Sequence, residues 1–152
     1  MYSRILVPVD GSETSKLGLL EVIKIAKDHN SQLRLVHVVN EFVMDYSIGT
    51  TLYSSQLIDA IRNVGKEILA GMEALVSQHG ITPQSVLLES IGIPAANLIV
   101  TQAKEWPADL IVMGTHGRRG LRRMAMGSDA ELVLRSTPVP VLLVRHTDQH
   151  DK

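Results

Sequence analysis

Residues 109–117 read Asp-Leu-Ile-Val-Met-Gly-Thr-His-Gly. Four consecutive large apolar side chains stand between an aspartate and a glycine. So short a run, apolar at every position, has no polar face. It suits a strand buried on both sides, as in a parallel sheet covered by helices. Working outward, the neighbouring segments alternate in period. Upstream, Pro94 fits the first turn of a helix, where its missing N–H costs nothing, and that helix ends at Trp106-Pro107. Before it lies a strand at residues 85–89 (SVLLE). A long helix comes earlier still, with Leu57, Ile61, Val64, Ile68, Met72 and Leu75 at spacings of three and four. Gly80 and Thr82-Pro83 supply its stop signal, while Gly65 and Gly71 weaken its interior and permit close packing or a bend.

The amino-terminal third repeats the pattern. Residues 4–9 (RILVPV) form a β-branched run closed by Asp10-Gly11-Ser12. Ser12 can cap the next helix, whose first turn holds Glu13 and whose apolar stripe is Leu19, Val22, Ile23 and Ala26. A second strand follows at residues 33–38 (LRLVHV), and residues 39–51 have no clear period. Downstream of Met113, a glycine-punctuated loop reaches Gly127, a short helix covers residues 128–135, and Val141–Val144 is the last strand. Strands alternating with helices predict a single-domain α/β fold: an open five-stranded parallel sheet, order 3-2-1-4-5, with helices on both faces. Strands one and four then meet at the switch point, outside whose carboxyl ends ligands of such sheets bind.

Composition narrows the class. The 152 residues carry 15 Lys and Arg against 16 Asp and Glu, a formal charge of −1. This balance gives no overall reason to expect nucleic acid or an anionic membrane as partner. With 45% hydrophobic and only 3% aromatic residues, the core must be aliphatic. The absence of cysteine excludes a disulfide framework and thiolate-held metal. No apolar run approaches the ~18 residues of a membrane span, and the first residues lack a signal-peptide layout. The expectation is a soluble, cytoplasmic protein with a domain at residues 1–146 and a polar tail at 147–152.

The chemistry concentrates in the loop after strand four. Gly114, Gly117, Gly127 and Ser128 are spaced as Gly-x2-Gly-x9-Gly-Ser. Glycines admit positive φ and close approach of a ligand to the backbone, and a helix opening at Gly127-Ser128 favours an anion. The loop is neither a Walker A loop nor a dinucleotide fingerprint. Phosphates would be held by backbone amides and the Ser128 hydroxyl. Ser128 and Glu131 also match a capping box, which needs no ligand.

These residues resemble the ATP-binding branch of the universal stress protein (UspA-like) family, whose nucleotide signature they match in full. The opening ILVPVDGS, the LIVMGTHG segment and the closing STPVPVLLVR are similar to the family's first, fourth and fifth strands. The resemblance implies an adenine nucleotide alpha hydrolase-like fold, with an adenine pocket lined by Pro8, Val9 and Val38. Asp10 would lie near the ribose or a magnesium ion, Met113 and Gly114 would close the adenine side, and Gly117, Gly127 and Ser128 would embrace ribose and phosphates. It further implies ATP, ADP or AMP as ligand, magnesium held through the nucleotide, and a homodimer paired along Val141, Leu142, Leu143 and Val144. The chain departs from the family pattern at Asp129, whose carboxylate repels a nearby triphosphate unless it points away or shares a magnesium ion.

Other residues have plainer readings. Arg118, Arg119, Arg122 and Arg123 form a basic loop that reads first as a solvated surface, then as a phosphate screen. Without an aromatic platform, nucleic-acid binding is disfavoured. His116 could touch phosphate or move a proton, but no nearby carboxylate orients it. His37, within a strand, reads as a satisfied core or rim residue, and Met124 and Met126 as packing for the loop. Asp10 serves equally as a turn residue or a ligand. Function is therefore expected to be that of a nucleotide-dependent stress or signalling module with little or no turnover and no assignable catalytic residue. The alternatives are a slow ATPase or phosphotransferase using His116 or Asp10, and a dimeric interaction domain.

Overall fold

The computed structural model describes residues 1–40, 55–116 and 126–145. In chain order the elements are β1 (Arg4–Pro8), α1 (Glu13–His29), β2 (Gln32–Asn40), α2 (Ser55–Gln78), β3 (Gln84–Ser90), α3 (Ala95–Glu105), β4 (Leu110–Gly114), α4 (Ser128–Ser136) and β5 (Val141–Val144). The five strands form one sheet in the order β3-β2-β1-β4-β5, every pair parallel. The predicted order is the observed one.

Strand alternation sorts the core into two layers. Ile5, Val7, Leu33, Leu35 and Val112 face α1 and α2, while Leu6, Val36, Ile111 and Met113 face α3 and α4. Both layers are aliphatic, and each fully buried Leu, Ile or Val contributes about 1.5–3 kcal/mol relative to exposure. Trp106 ends α3 at the rim of the second layer, where Arg34 stacks 4.6 Å from its ring centre and donates to Gln84 and Gln102.

Helix ends follow local chemistry. Ser12 Oγ accepts from Ser15 N–H at 3.1 Å, the expected cap of α1. Asn30 closes that helix in the left-handed conformation (φ 54°), which Asn tolerates better than most residues. Two expectations are corrected. Ser128 is not a cap: Gly127 stands at the N-cap of α4 with no side-chain bond, and Glu131 pairs with Arg135 at 2.6 Å. Likewise Pro94 is the N-cap of α3 rather than a residue of its first turn, again with no side-chain bond.

The face of α2 is rotated from the predicted stripe. Gly65, Leu69, Met72 and Val76 are its buried line, whereas Leu57 and Val64 are exposed. Gly65 explains the rotation. A Cβ there would lie 2.9 Å from Leu87 Cδ1 and Val39 Cγ2, and 3.0 Å from His37 Cδ2. The helix sinks onto the sheet along the line where a side chain is missing. Gly71 meets nothing within 4 Å, so close packing belongs to Gly65 alone of the two.

Candidate functional site

The site is built by a parting of strands. β1 and β4 share the register pairs Ile5↔Leu110 and Leu6↔Ile111 and no further ones. Beyond them β1 follows β2, with Val9 N–H donating to Val36 O at 2.8 Å. β4 instead follows β5, with Thr115 N–H donating to Val144 O at 3.0 Å. A crevice opens between the two carboxyl ends, as the switch point predicts. On one bank, Asp10 Oδ1 accepts from Ser12 N–H at 2.9 Å and fixes the turn into α1. On the other, Gly127 N–H donates to Thr115 O at 2.7 Å and brings the start of α4 to the end of β4.

The crevice leads into a cavity of about 920 Å³, within the usual range of small-molecule sites. Pro8, Val9, Asp10, Val38, Met113, Gly114, His116, Gly127, Ser128 and Asp129 all line it. The structure therefore gathers around one cavity every site residue expected from the sequence except Gly117, which lies outside the described residues, as do Met124 and the four loop arginines. Met126 packs against the α3/α4 layer as anticipated.

Each bank carries its own chemistry. Pro8, Val38, Met113, Ile99 and Ala130 give the cavity apolar walls on the α3/α4 side, the surface a flat heterocycle needs. The amino ends of α3 and α4 both open onto it through Pro94, Ala95, Gly127 and Ser128. Neither end has a side-chain cap, so their first-turn N–H groups and dipoles favour a negative group. His116 Nδ1 lies 2.9 Å from Thr115 Oγ1, and His116 Nε2 is buried with no partner among the described residues. A buried ring nitrogen in a cavity wall is costly until something bonds to it. Among the described residues, Asp10 and Asp129 are the acidic residues that line the same space. No cluster of three or more metal-ligating side chains exists among the described residues.

Gly114 lines the cavity, and positive φ is not what makes it a glycine. Its φ lies outside the left-handed region. A Cβ would lie 2.7 Å from Thr14 Cγ2 and 3.1 Å from Thr14 C. The missing side chain makes room for the first turn of α1, while the backbone still borders the cavity. Sequence reasoning also missed a third wall. Ala60, Ile61 and Val64 of α2, with Ser90, Ile93, Pro94 and Ala95 of the β3–α3 connection, line the cavity. The usable signal was Gly92-Ile93-Pro94, a turn that delivers a helix start to the sheet's carboxyl edge.

With this geometry in place, likeness to known proteins adds the family. The profile of the Universal stress protein family matches residues 1–145. The chain belongs to the universal stress protein family. A universal stress protein of Methanocaldococcus jannaschii is 35% identical over 147 residues, covering 95% of this chain and 83% of the relative. A solved structure from the universal stress protein family of Burkholderia pseudomallei is 34% identical, with a TM-score of 0.75, covering 94% of this chain and 96% of the other. More distant universal stress proteins share the fold. One from Archaeoglobus fulgidus was solved with dAMP (24% identity, TM-score 0.66, covering 94% and 98%) and one from Arabidopsis thaliana with AMP (15%, 0.68, covering 99% and 95%). Another was solved in complex with cAMP (23%, 0.67, covering 97% and 99%). In the universal stress protein described here, no helix among the described residues is long and apolar enough to cross a membrane.

Proposed function

We propose that this universal stress protein binds an adenine nucleotide, ATP, ADP or AMP, in the cavity between the Asp10 corner and the start of α4, and acts as a nucleotide-dependent stress or signalling module with little turnover. One observation carries the reading: a single cavity joins an apolar slot at Pro8, Val38 and Met113 to two uncapped helix amino ends at Pro94 and Gly127. A base fits the first and phosphate the second. Relatives of the same fold solved with AMP, dAMP and cAMP point the same way.

In this reading Pro8, Val9, Val38, Met113 and Gly114 border the adenine, and Asp10 bonds the ribose. Gly117, Gly127 and Ser128 hold phosphate oxygens, and His116 Nε2 gains the partner it lacks. Magnesium fits as an ion held mainly by phosphate, with Asp10 or Asp129 contributing one carboxylate and water the rest. Low turnover follows from His116, whose Nδ1 meets a threonine hydroxyl where a general base would be oriented by a carboxylate. The proposal extends to a cytoplasmic homodimer paired along β5, built from a domain of residues 1–146 and the short polar tail.

The test is thermal unfolding with AMP, ADP, ATP and GTP, each with and without magnesium. At a hundredfold excess over the dissociation constant, an adenine nucleotide adds about 2.7 kcal/mol, a melting shift of roughly 5–10 °C at this size. No shift with any adenine nucleotide, or an equal shift with GTP, overturns the assignment. Steady phosphate release that disappears in both His116→Ala and Asp10→Ala would establish the ATPase alternative.

A further inference from the structure

We propose that His37, in the wall of the cavity, is a positioning residue that sets the Asp10 corner and so, resting on the nucleotide reading above, tunes affinity for the ligand through that corner. His37 sits in β2 and is only 8% exposed. Its Nδ1 lies 2.7 Å from Val9 O, the carbonyl immediately before Asp10. A carbonyl oxygen only accepts, so the proton of this bond resides on Nδ1 whether the ring is neutral or charged.

The bond takes the place of a sheet bond. The register Pro8↔Val36 makes His37 the opposite number of Val9. A continued parallel ladder would then have Val38 N–H donate to Val9 O. Val9 N–H does donate to Val36 O at 2.8 Å, but no bond from Val38 N–H to Val9 O is made. The imidazole Nδ1 holds the carbonyl instead. Thus the peptide group that leads into Asp10 is anchored to β2 by a side chain, and Val38 N–H is left unclaimed by β1 beside the cavity.

The ring is held from its other edge by α2. Gly65 comes so near that an added Cβ would lie 3.0 Å from His37 Cδ2. Val9 O on one edge and the Gly65 backbone on the other leave the imidazole little freedom. The Asp10 corner is therefore placed by a stack running from α2 through His37 to β1.

The experiment compares wild type, His37→Leu and His37→Asn, in which the asparagine amide supplies a donor near the position of Nδ1. Two readouts need no nucleotide: imidazole ¹⁵N spectra of the wild type, and amide hydrogen exchange at Gly11 and Ser12. The third is the dissociation constant for AMP. The wild-type ring should carry its proton on Nδ1. His37→Leu should speed exchange at the corner and weaken AMP binding, each by roughly five- to tenfold, the worth of one neutral hydrogen bond. His37→Asn should restore most of both. A wild-type ring protonated on Nε2 alone overturns the proposal, and that result does not depend on any variant folding. So does His37→Leu with unchanged corner exchange, or His37→Asn no better than His37→Leu. If the wild type binds no adenine nucleotide, the nucleotide reading fails, while spectra and exchange still decide whether His37 sets the corner.

Discussion

Gly114→Ala separates two reasons for a glycine at the end of β4. If the residue makes room for α1, the cost is steric and appears without ligand. The new Cβ would stand 2.7 Å from Thr14 Cγ2 and 3.1 Å from both Thr14 Cβ and Thr14 C. Carbon atoms settle at about 3.5–4.0 Å, so side chain and backbone of the first turn of α1 must both retreat. Overpacking of this kind costs about 1–3 kcal/mol. No conformational strain adds to it, since the φ of Gly114 is not in the left-handed region. For a chain of this size a loss of ~2 kcal/mol lowers the melting temperature by roughly 4–8 °C. Thr14→Ser removes the Cγ2 methyl and with it the closest contact, but leaves the two at 3.1 Å. In a double-mutant cycle it should return about 1 kcal/mol of the loss, within the range of directly touching pairs. Calorimetry on the four proteins without nucleotide measures this. A Gly114→Ala protein as stable as wild type, or a cycle with no coupling, refutes the steric account. If stability is untouched and nucleotide binding alone is lost, the glycine serves the ligand.

Two further outcomes follow from the geometry. Asp129 faces the cavity in the first turn of α4. Asp129→Asn should therefore tighten ATP by several-fold more than AMP in magnesium-free titration calorimetry, because a like charge costs more against three phosphates than one; equal effects on both would place the carboxylate away from the phosphates. β5 is an edge strand with Leu142 37% exposed. In the proposed dimer, Leu142→Glu should shift sedimentation toward monomer at micromolar concentration by putting like charges across a paired edge, and an unchanged profile would refute pairing along β5.

The sheet was legible in the sequence because each strand carries an apolar, largely β-branched or leucine-rich centre and Gly, Pro and Asp punctuate the connections. Those signals survive without tertiary information, so strand order and all described members of the glycine signature came out together. What escaped was decided by absence of atoms or by another element's position. The buried face of α2 is set by Gly65, a residue with no side chain to register in a hydrophobic stripe, so the three-and-four spacing takes in Leu57 and Val64, which are exposed. The Ser128–Glu131 pattern matches a capping box, yet the turn from Thr115 O to Gly127 N–H starts the helix one residue early and leaves Ser128 inside it. The wall from α2 has no local motif, and Gly92-Ile93-Pro94 signals a turn and a helix start without reporting that this start converges on the crevice.

The short register between β1 and β4 has a mechanical consequence. The sheet is two ribbons, β3-β2-β1 and β4-β5, welded at one end only. There Asp109 grips the backbone of Ser3 and Arg4 at 2.7 and 3.1 Å. α1 lies across the gap like a splint, with Gly18 against Met113 and Gly114. A molecule lodged at the unwelded end becomes a strut between the ribbons, and the ribbon it braces carries the free edge at β5. Occupancy can thus be transmitted as a change in stiffness to a surface on which the ligand makes no contact.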